Sequence, residues 1–495
     1  MALPYFALAC GEDEPGSGVL EFIGRKNELK RLEELKAKDG ASLVVITGRR
    51  RIGKSRLARE FGREFPRFLE FAGLAPRDGI GAVQQRAEFA RLLAEQCDLP
   101  QFKSEDWGEL FRLLARETAR DRVLILLDEI SWMARGDELF LPQLKNAWDL
   151  HFSRNPRLIL LLCGSISSWI EKNILSHTGF VGRISLRLVL RDLSLPYCNQ
   201  FWGPQAKRTA AQDKLKVLAV TGGVPRYLEE IQPQQTAEQN IARMCFREGA
   251  LLFDEFDRVF SDLFDRKART YRKIVQHLAK GAKDYQEIAR SLGRPPGGTL
   301  TLHLDDLVSA GFLQRHKTWS LSDGRALKYL RYRLSDNYSR FYLKYIQPHR
   351  EQIVADRYPD RTLTFLPGWD AVMGLQFENL VLNNSAQVIE VLGLSAVDVI
   401  NAGPYFQTAT KERPGAQVDL LIQERFGSLF VCEIKLTRGE LGQEVIAAMV
   451  KKLDNLRVPR SMSLRPVLIH CGEVSEAVVQ SRFFAHIVPF ERFME

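Results

Sequence analysis

Cysteine occurs in no useful pattern in this chain. Cys10, Cys97, Cys163, Cys198, Cys245, Cys432 and Cys471 are scattered over 495 residues with no C-x-x-C pair. An odd, dispersed set excludes a disulfide framework and a cysteine-based metal cluster, and it suits a reducing, intracellular setting. Long apolar runs are also missing: none approaches the ~20 residues that span a bilayer. Met1 to Cys10 is apolar and ends in Ala-Leu-Ala-Cys, like a lipoprotein cleavage site. With no basic residue ahead of it and a very short apolar core, no signal peptide is expected. The expected location is the cytoplasm, with no membrane partner. Charge is nearly balanced, 70 Lys and Arg against 61 Asp and Glu, for a net +9. So small an excess permits a nucleic-acid or phosphate partner without requiring one. Internal repeats and low-complexity tracts are absent. Disorder and collagen-like architecture are excluded by 45% apolar and 26% charged residues.

What is present reads as roughly three domains at about 150 residues each. A tail over 1–18 ends in Gly16-Ser17-Gly18. From 19 to 233, buried apolar strands alternate with amphipathic helices, the pattern of a parallel α/β sheet. The strands are Leu43–Thr47, Val123–Leu127 and Leu158–Cys163, the last two joined by one crossover. Region 234–335 carries three short helices (Tyr271–Lys280, Tyr285–Leu292 and Leu300–Ala310), the third capped by Thr299. Two strands follow, at Gly311–Arg315 and Tyr329–Leu334, which together spell a winged helix. A connector over 336–366 leads to an α/β unit at 367–495.

Gly48-Arg49-Arg50-Arg51-Ile52-Gly53-Lys54-Ser55 fits G-x-x-x-x-G-K-[ST], with a strand before it and a helix (Lys54–Phe65) after it. Glycines let successive N–H groups curl around an anion at a helix N-terminus. Lys54 reaches the β- and γ-phosphates of ATP and the Ser55 hydroxyl ligates Mg²⁺. Gly48, Arg51, Ile52, Gly53 and Arg56 complete the expected nucleotide contacts. The strand Val123–Leu127 ends in Asp128 and Glu129. Asp128 would hold the Mg²⁺ water shell beside Ser55, and Glu129 would orient and deprotonate the attacking water. Ser165, ending the next strand, stands where a γ-phosphate sensor would sit.

Together with Phe22-Ile23-Gly24-Arg25, Gly182-Arg183 and Thr221-Gly222-Gly223-Val224-Pro225-Arg226-Tyr227-Leu228, these motifs resemble the prokaryotic archaeal-type ATPases. That family is a branch of the STAND class of P-loop proteins related to AAA ATPases, and the likeness spans about 20–345. It implies that Phe22 to Arg25 lies against the adenine side and that Pro225 packs near the base. Ser165 matches the sensor residue. Arg183 matches an arginine that faces the γ-phosphate within one chain or across subunits, with a surface salt bridge as the alternative; Arg226 is equally open.

The third helix of the middle region holds His303, Asp305 and Asp306, a poor set for reading bases. The wing is basic, with Arg315, His316, Lys317, Arg325, Lys328, Arg331 and Arg333. Phosphate contact by the wing and packing as a lid on the ATPase core stay open as alternatives.

Near the C-terminus, Gln417–Ile422 and Leu429–Leu436 read as a hairpin. A turn centred on Phe426 sets Asp419 across from Glu433, about 5 Å away and close enough to share a divalent ion. Strand alternation puts Lys435 on the face of Glu433. Asp419 with Glu433-Ile434-Lys435 resembles the PD-(D/E)XK nuclease superfamily, with Val418 where that name has proline. The resemblance makes Glu378 the additional helical acid. It implies metals that polarise a phosphodiester and a Lys435 that positions water or stabilises charge.

The fold expected is therefore α/β: a P-loop NTPase parallel-sheet core, a helical and winged-helix middle domain, and a C-terminal α/β restriction-endonuclease-like domain. The expected function is Mg²⁺-dependent ATP hydrolysis controlling a nuclease-like domain that acts on DNA, or less favourably RNA. The alternative is an ATP-driven switch that recruits a protein partner or itself, with a silent C-terminal domain.

Overall fold

The computed structural model describes residues 21–77, 79–165, 167–264, 267–293, 295–358, 363, 366–409 and 414–495. The tail expected over 1–18, with Cys10, lies outside the described residues, as do Arg294 of the inter-helix turn and part of the connector.

Five parallel strands form the first sheet: β1 (Ser42–Gly48), β2 (Arg67–Ala72), β3 (Val123–Asp128), β4 (Leu158–Gly164) and β5 (Ile184–Leu190), in the order β2-β3-β4-β1-β5. The three inner strands are buried along their whole length, as a sheet covered on both faces requires. β3 and β4 are neighbours, as a single crossover demands. β2 and β5 escaped the sequence pattern because they are edge strands, where Arg67, Glu70 and Arg187 interrupt the apolar run. One apolar core lies on each face, the first around Phe89, Trp107, Phe111 and Phe140, the second around Leu32, Leu57 and Phe61.

Three helices (Ala268–Leu278, Tyr285–Ser291 and Gly298–Ser309) precede a hairpin. Its strands are β7 (Leu313–Trp319) and β8 (Ala326–Leu334), and a two-residue strand β6 (Lys283–Asp284) pairs with β8. Thr299 does not cap the third helix. Gly297 is the N-cap, its extended backbone held by the Tyr285 hydroxyl, which donates to Gly297 O at 2.8 Å and accepts from Gly297 N at 2.9 Å.

In the C-terminal unit the helix Trp369–Asn383 leads to β9 (Val399–Gln407), β10 (Ala416–Glu424), β11 (Ser428–Leu441), β12 (Ser463–Val474) and β13 (His486–Pro489), ordered β13-β12-β11-β10-β9. β9 to β11 run antiparallel and β11 to β13 parallel. The helix Glu444–Asn455 makes the crossover from β11 to β12.

The apolar core does not divide at residue 233. One continuous cluster runs from Leu193 through Tyr227, Phe256, Leu304, Tyr338 and Phe377 to Met494. The hairpin packs on the C-terminal sheet, while the third helix, Gly298–Ser309, meets the ATPase region at the short helix Ser167–Ile170. Trp319 Nε1 donates to Gln423 Oε1 at 2.7 Å, Thr318 Oγ1 to the carbonyl of Phe406 at 3.0 Å, and Asn401 Nδ2 to the carbonyl of Gly324 at 2.8 Å. The six described cysteines are free thiols. Among the described residues, no helix is long and apolar enough to cross a membrane.

Candidate functional site

The buried strand β1 delivers Gly48 to the mouth of the sheet. Gly48 has φ 150°, and a Cβ there would stand 2.7 Å from the carbonyl oxygen of Leu190, so only glycine fits. The helix Lys54–Gly62 starts from Gly53, also at positive φ. Lys54 is buried, its ammonium donating to the carbonyls of Gly48 (3.1 Å) and Arg49 (3.2 Å) and to Ser165 Oγ (2.9 Å). Burial pulls its pKa below the ordinary value, against the pull of Glu129 and Asp128. The Ser55 hydroxyl donates to Asp128 Oδ2 at 2.5 Å, and burial raises the Asp128 carboxyl. Glu129 sits at φ 50°, which turns its carboxylate onto Ser165: it accepts from Ser165 N (3.1 Å) and Oγ (2.5 Å). Residues from three strand ends thus converge as the sequence placed them. A hydroxyl beside a carboxylate is a hard-oxygen pair that fits Mg²⁺, which takes one or two protein oxygens and completes its shell with water and phosphate.

Arg25 Nη2 donates to the carbonyl of Ile52 at 3.0 Å, tying the F-x-G-R segment to the loop. Phe22 packs at the edge of the core beneath, which also takes the Ile52 side chain. Pro225 lies beside Gly53, whose added Cβ would be 4.0 Å from Pro225 Cγ. Arg56 pairs with Glu229 and donates to the carbonyl of Glu21. Arg226 pairs with Glu230 at 2.8 Å. Arg183 forms a two-pronged ion pair with Asp149 (2.7 and 2.9 Å) on the helix Phe140–Leu150.

The three loop arginines face the middle region, a role their sequence position did not disclose. Arg49 pairs with buried Asp336 at 2.6 Å, Arg50 with Asp262, and Arg51 with both oxygens of fully buried Glu255 at 2.9 and 3.1 Å. Glu255 and Asp262 lie seven residues apart on the helix Leu251–Phe264 and so share a face. Asp336 also caps the helix Asn337–Phe341 through Ser339 N at 3.0 Å. From there Asn337 and Arg340 engage Gln376: Gln376 Nε2 donates to the carbonyls of Asn337 (2.7 Å) and Ala219 (2.8 Å), and Arg340 Nη1 donates to Gln376 Oε1 (2.5 Å). A hydrogen-bonded chain therefore runs from the phosphate loop to two residues short of Glu378.

In the C-terminal unit the β10–β11 register pairs Leu420 with Cys432, Leu421 with Val431 and Ile422 with Phe430, all centred on Phe426. Asp419 and Glu433 come next. The β9 pairing slips between Val418 and Leu421, and the Asp419 side chain turns to accept from Ile434 N at 3.0 Å. Lys435 Nζ meets Glu433 Oε1 at 2.8 Å. The unforeseen residue is Lys452, on the crossover helix. Its ammonium lies between Glu433 Oε2 and Asp419 Oδ1, 3.5 Å from the latter. Burial raises Asp419. Burial works the same way on Glu433, but Lys452 and Lys435 hold that carboxyl below its ordinary value. Burial, with Asp419 nearby, pushes Glu378 up to about 7.

The donor set expected for a shared divalent ion at Asp419 and Glu433 is thus already neutralised by an internal ammonium. Among the described residues, no group of three or more His, Cys, Asp or Glu is placed to hold a metal. As arranged, these residues do not fit a resident metal alongside Lys452. Only a lysine at the right turn of the Glu444–Asn455 helix could have announced this, and Lys451-Lys452 offers two.

Comparison with known proteins agrees with the nucleotide half. Residues 22–231 match the family model described as an ATPase domain predominantly from Archaea. An uncharacterized protein of Methanocaldococcus jannaschii is 26% identical over 336 residues, 67% of this chain and 70% of its own length. An uncharacterized ATP-binding protein of the same archaeon is 41% identical over 44 residues, 9% of this chain and 75% of that protein. Among solved structures, the Walker-type ATPase of Pyrococcus abyssi aligns with a TM-score of 0.48 at 17% identity, over 65% of this chain and 96% of that one. The ORC2 protein of Aeropyrum pernix, in its ADPNP–ADP complexes, aligns at 0.41 and 16% identity, over 68% and 96%. Residues 22–231 are an ATPase domain of archaeal type.

Proposed function

We propose that this chain hydrolyses ATP with Mg²⁺ and that its nucleotide state governs a C-terminal site acting on DNA or RNA. The observation that carries the first half is the convergence at three strand ends of two hydrogen-bonded sets, Lys54–Ser165–Glu129 and Ser55–Asp128. Lys54 binds phosphate, Ser55 and Asp128 hold the metal and its water, and Glu129, oriented by Ser165, takes the proton of the attacking water. Control of the distal site is supported by the loop arginines. A γ-phosphate that reshapes residues 48–55 pulls on Asp336, Asp262 and Glu255, and through Asn337 and Gln376 on the helix that carries Glu378.

The test is ATP turnover by the full chain. Glu129→Gln lowers kcat by about 10²–10⁴-fold while ATP still binds; Lys54→Ala loses binding as well. Wild-type rates in both variants overturn the assignment.

A second reading, a switch that recruits a partner while its C-terminal site stays silent, is favoured by Lys452. Its ammonium supplies the charge a divalent ion would bring, so metal-dependent cleavage requires the crossover helix to release it. Incubation with DNA and RNA, with and without ATP and Mg²⁺, separates the two. Cleavage abolished in Asp419→Ala and Lys435→Ala supports the first; no cleavage under any condition supports the second.

A further inference from the structure

The hairpin β7–β8 and the C-terminal unit enclose a cavity of about 210 Å³, lined among others by His316, Arg331, Arg333, Arg340, Glu378 and Asp419. Arg333 is 6% exposed. Its Nε donates to His316 Nε2 at 3.2 Å and its Nη2 to Gln314 Oε1 (2.6 Å) and Asn383 Oδ1 (2.9 Å). Its Nη1 is buried and has no hydrogen-bond partner. None of these three partners carries negative charge. A guanidinium taken out of water with only neutral partners is costly, and a buried N–H without an acceptor adds to that cost. Arg331, stacked on Phe406 at 4.8 Å, leaves its buried Nε unused as well. By contrast each of the three guanidinium nitrogens of Arg340 has a partner, the carbonyls of Ala279 and Leu334 and the side chain of Gln376.

The charges around the cavity favour an anion. Asp419 is already matched by Lys452. Burial raises Glu378 to about 7, so near neutrality much of it is a neutral acid able to donate a proton in a hydrogen bond. His316 accepts from Arg333 through Nε2, which places its own proton on Nδ1 and keeps the ring neutral. Arg331 is matched by Glu287 at 3.5 Å and donates to the carbonyl of Ala282, which leaves Arg333, with only neutral partners and an unused Nη1, against this background.

We propose that this cavity is a phosphoryl-binding site and that Arg333, contributed by the hairpin, is the residue that grips the oxyanion. Planar guanidinium N–H pairs match phosphate oxygens, and a tetrahedral oxyanion has enough oxygens to engage Arg333 and a protonated Glu378 at once. The group is a phosphate of a nucleic-acid strand laid against Asp419, Glu433 and Lys435, or free inorganic phosphate. The nucleic-acid source rests on the function proposed above; the site itself does not. The hairpin thereby serves as one wall of the distal site through Arg331 and Arg333, while its Arg315, Lys317, Arg325 and Lys328 stay exposed.

The experiment is titration of the full chain, by calorimetry, with inorganic phosphate and with short single-stranded DNA bearing either a 5′-phosphate or a 5′-hydroxyl. Arg333→Met keeps the side-chain volume and removes the charge; ATP turnover unchanged from wild type reports that it is folded. The expected result is a loss of phosphate affinity of about 10- to 100-fold in Arg333→Met, partial recovery in Arg333→Lys, and tighter binding in Glu378→Gln. Dependence on the 5′-phosphate identifies a strand end as the ligand, and equal binding of both oligonucleotides, weakened alike by Arg333→Met, identifies an internal phosphodiester. Inorganic phosphate binding that needs Arg333 without any DNA binding leaves the site standing and removes the nucleic-acid reading. DNA and phosphate binding that are both indifferent to Arg333 and to Glu378 overturn the site while leaving that reading intact.

Discussion

Asp336→Asn is the sharpest probe of the link between the nucleotide loop and the rest of the chain. Asp336 Oδ1 pairs with Arg49 at 2.6 Å, both side chains lie under 10% exposed, and Asp336 Oδ2 caps the helix Asn337–Phe341. Asparagine keeps the cap with its carbonyl oxygen, since it caps as well as aspartate, and turns its NH2 toward Arg49, so the charge and the acceptor of the pair are both removed. Removing one partner of a buried ion pair costs about 3–5 kcal/mol, because the other charge is left uncompensated. Asp192 is a second carboxylate acting on Arg49, which places the loss at the lower end, about 3 kcal/mol. For a cooperative unit of 150–250 residues that corresponds to a fall in Tm of roughly 6–12 °C. The assay is thermal unfolding of wild type, Asp336→Asn, Arg49→Met and the double variant, followed by loss of ATP binding. The double variant should recover much of the loss, giving a coupling energy above about 1.5 kcal/mol. A fall of less than about 3 °C in Asp336→Asn, or a coupling under about 0.5 kcal/mol, refutes the claim that this pair anchors the loop.

Two further outcomes follow from buried charge elsewhere. Burial, with Arg333 alongside, holds His316 down at about 3, well below its ordinary 6.5. The unfolded chain binds this proton first, so the stability His316 contributes is present above about pH 6.5 and drains away as pH falls toward 3. His316→Gln should flatten the wild-type loss of Tm between pH 6.5 and 4; an unchanged slope rejects the neutral, buried imidazole. Lys452→Met removes the ammonium between Asp419 and Glu433 and leaves Glu433 with Lys435 alone. The variant should melt earlier without metal and gain stability with rising Mg²⁺ or Mn²⁺, by about 2.7 kcal/mol at a hundred times the dissociation constant, whereas the wild type should respond weakly. Equal metal responses in the two proteins contradict the counter-ion role.

Much of the nucleotide site was legible because its parts are local. Residues 48–55 carry their own geometry, since glycine is needed at Gly48, where a side chain would meet the Leu190 carbonyl, and the lysine and serine follow from the helix start. Asp128, Glu129 and Ser165 were readable because each ends a strand whose apolar run is unbroken. The hairpin register about Phe426, from Leu420 to Gln423, was readable from a turn and a period of two. Legibility failed at edge strands β2 and β5, where half-exposed positions dilute the apolar signal, and at Thr299, where an extended glycine two residues earlier begins the helix. For Arg183 the sequence left a γ-phosphate contact and a salt bridge open, and its guanidinium is paired with Asp149.

By itself the amino-acid order determined the phosphate loop, the acid-ended strand beside it and the register of the C-terminal hairpin from Leu420 to Gln423, because each depends on neighbours a few residues away or on strand periodicity. Only the tertiary structure decided which charges meet. Arg49 finds Asp336 across 287 positions, Lys452 comes down between Asp419 and Glu433, and Arg333 closes a cavity belonging to another part of the chain. Charge pairing inside a protein is set by burial and distance in space, and neither is written in the spacing of residues along the chain.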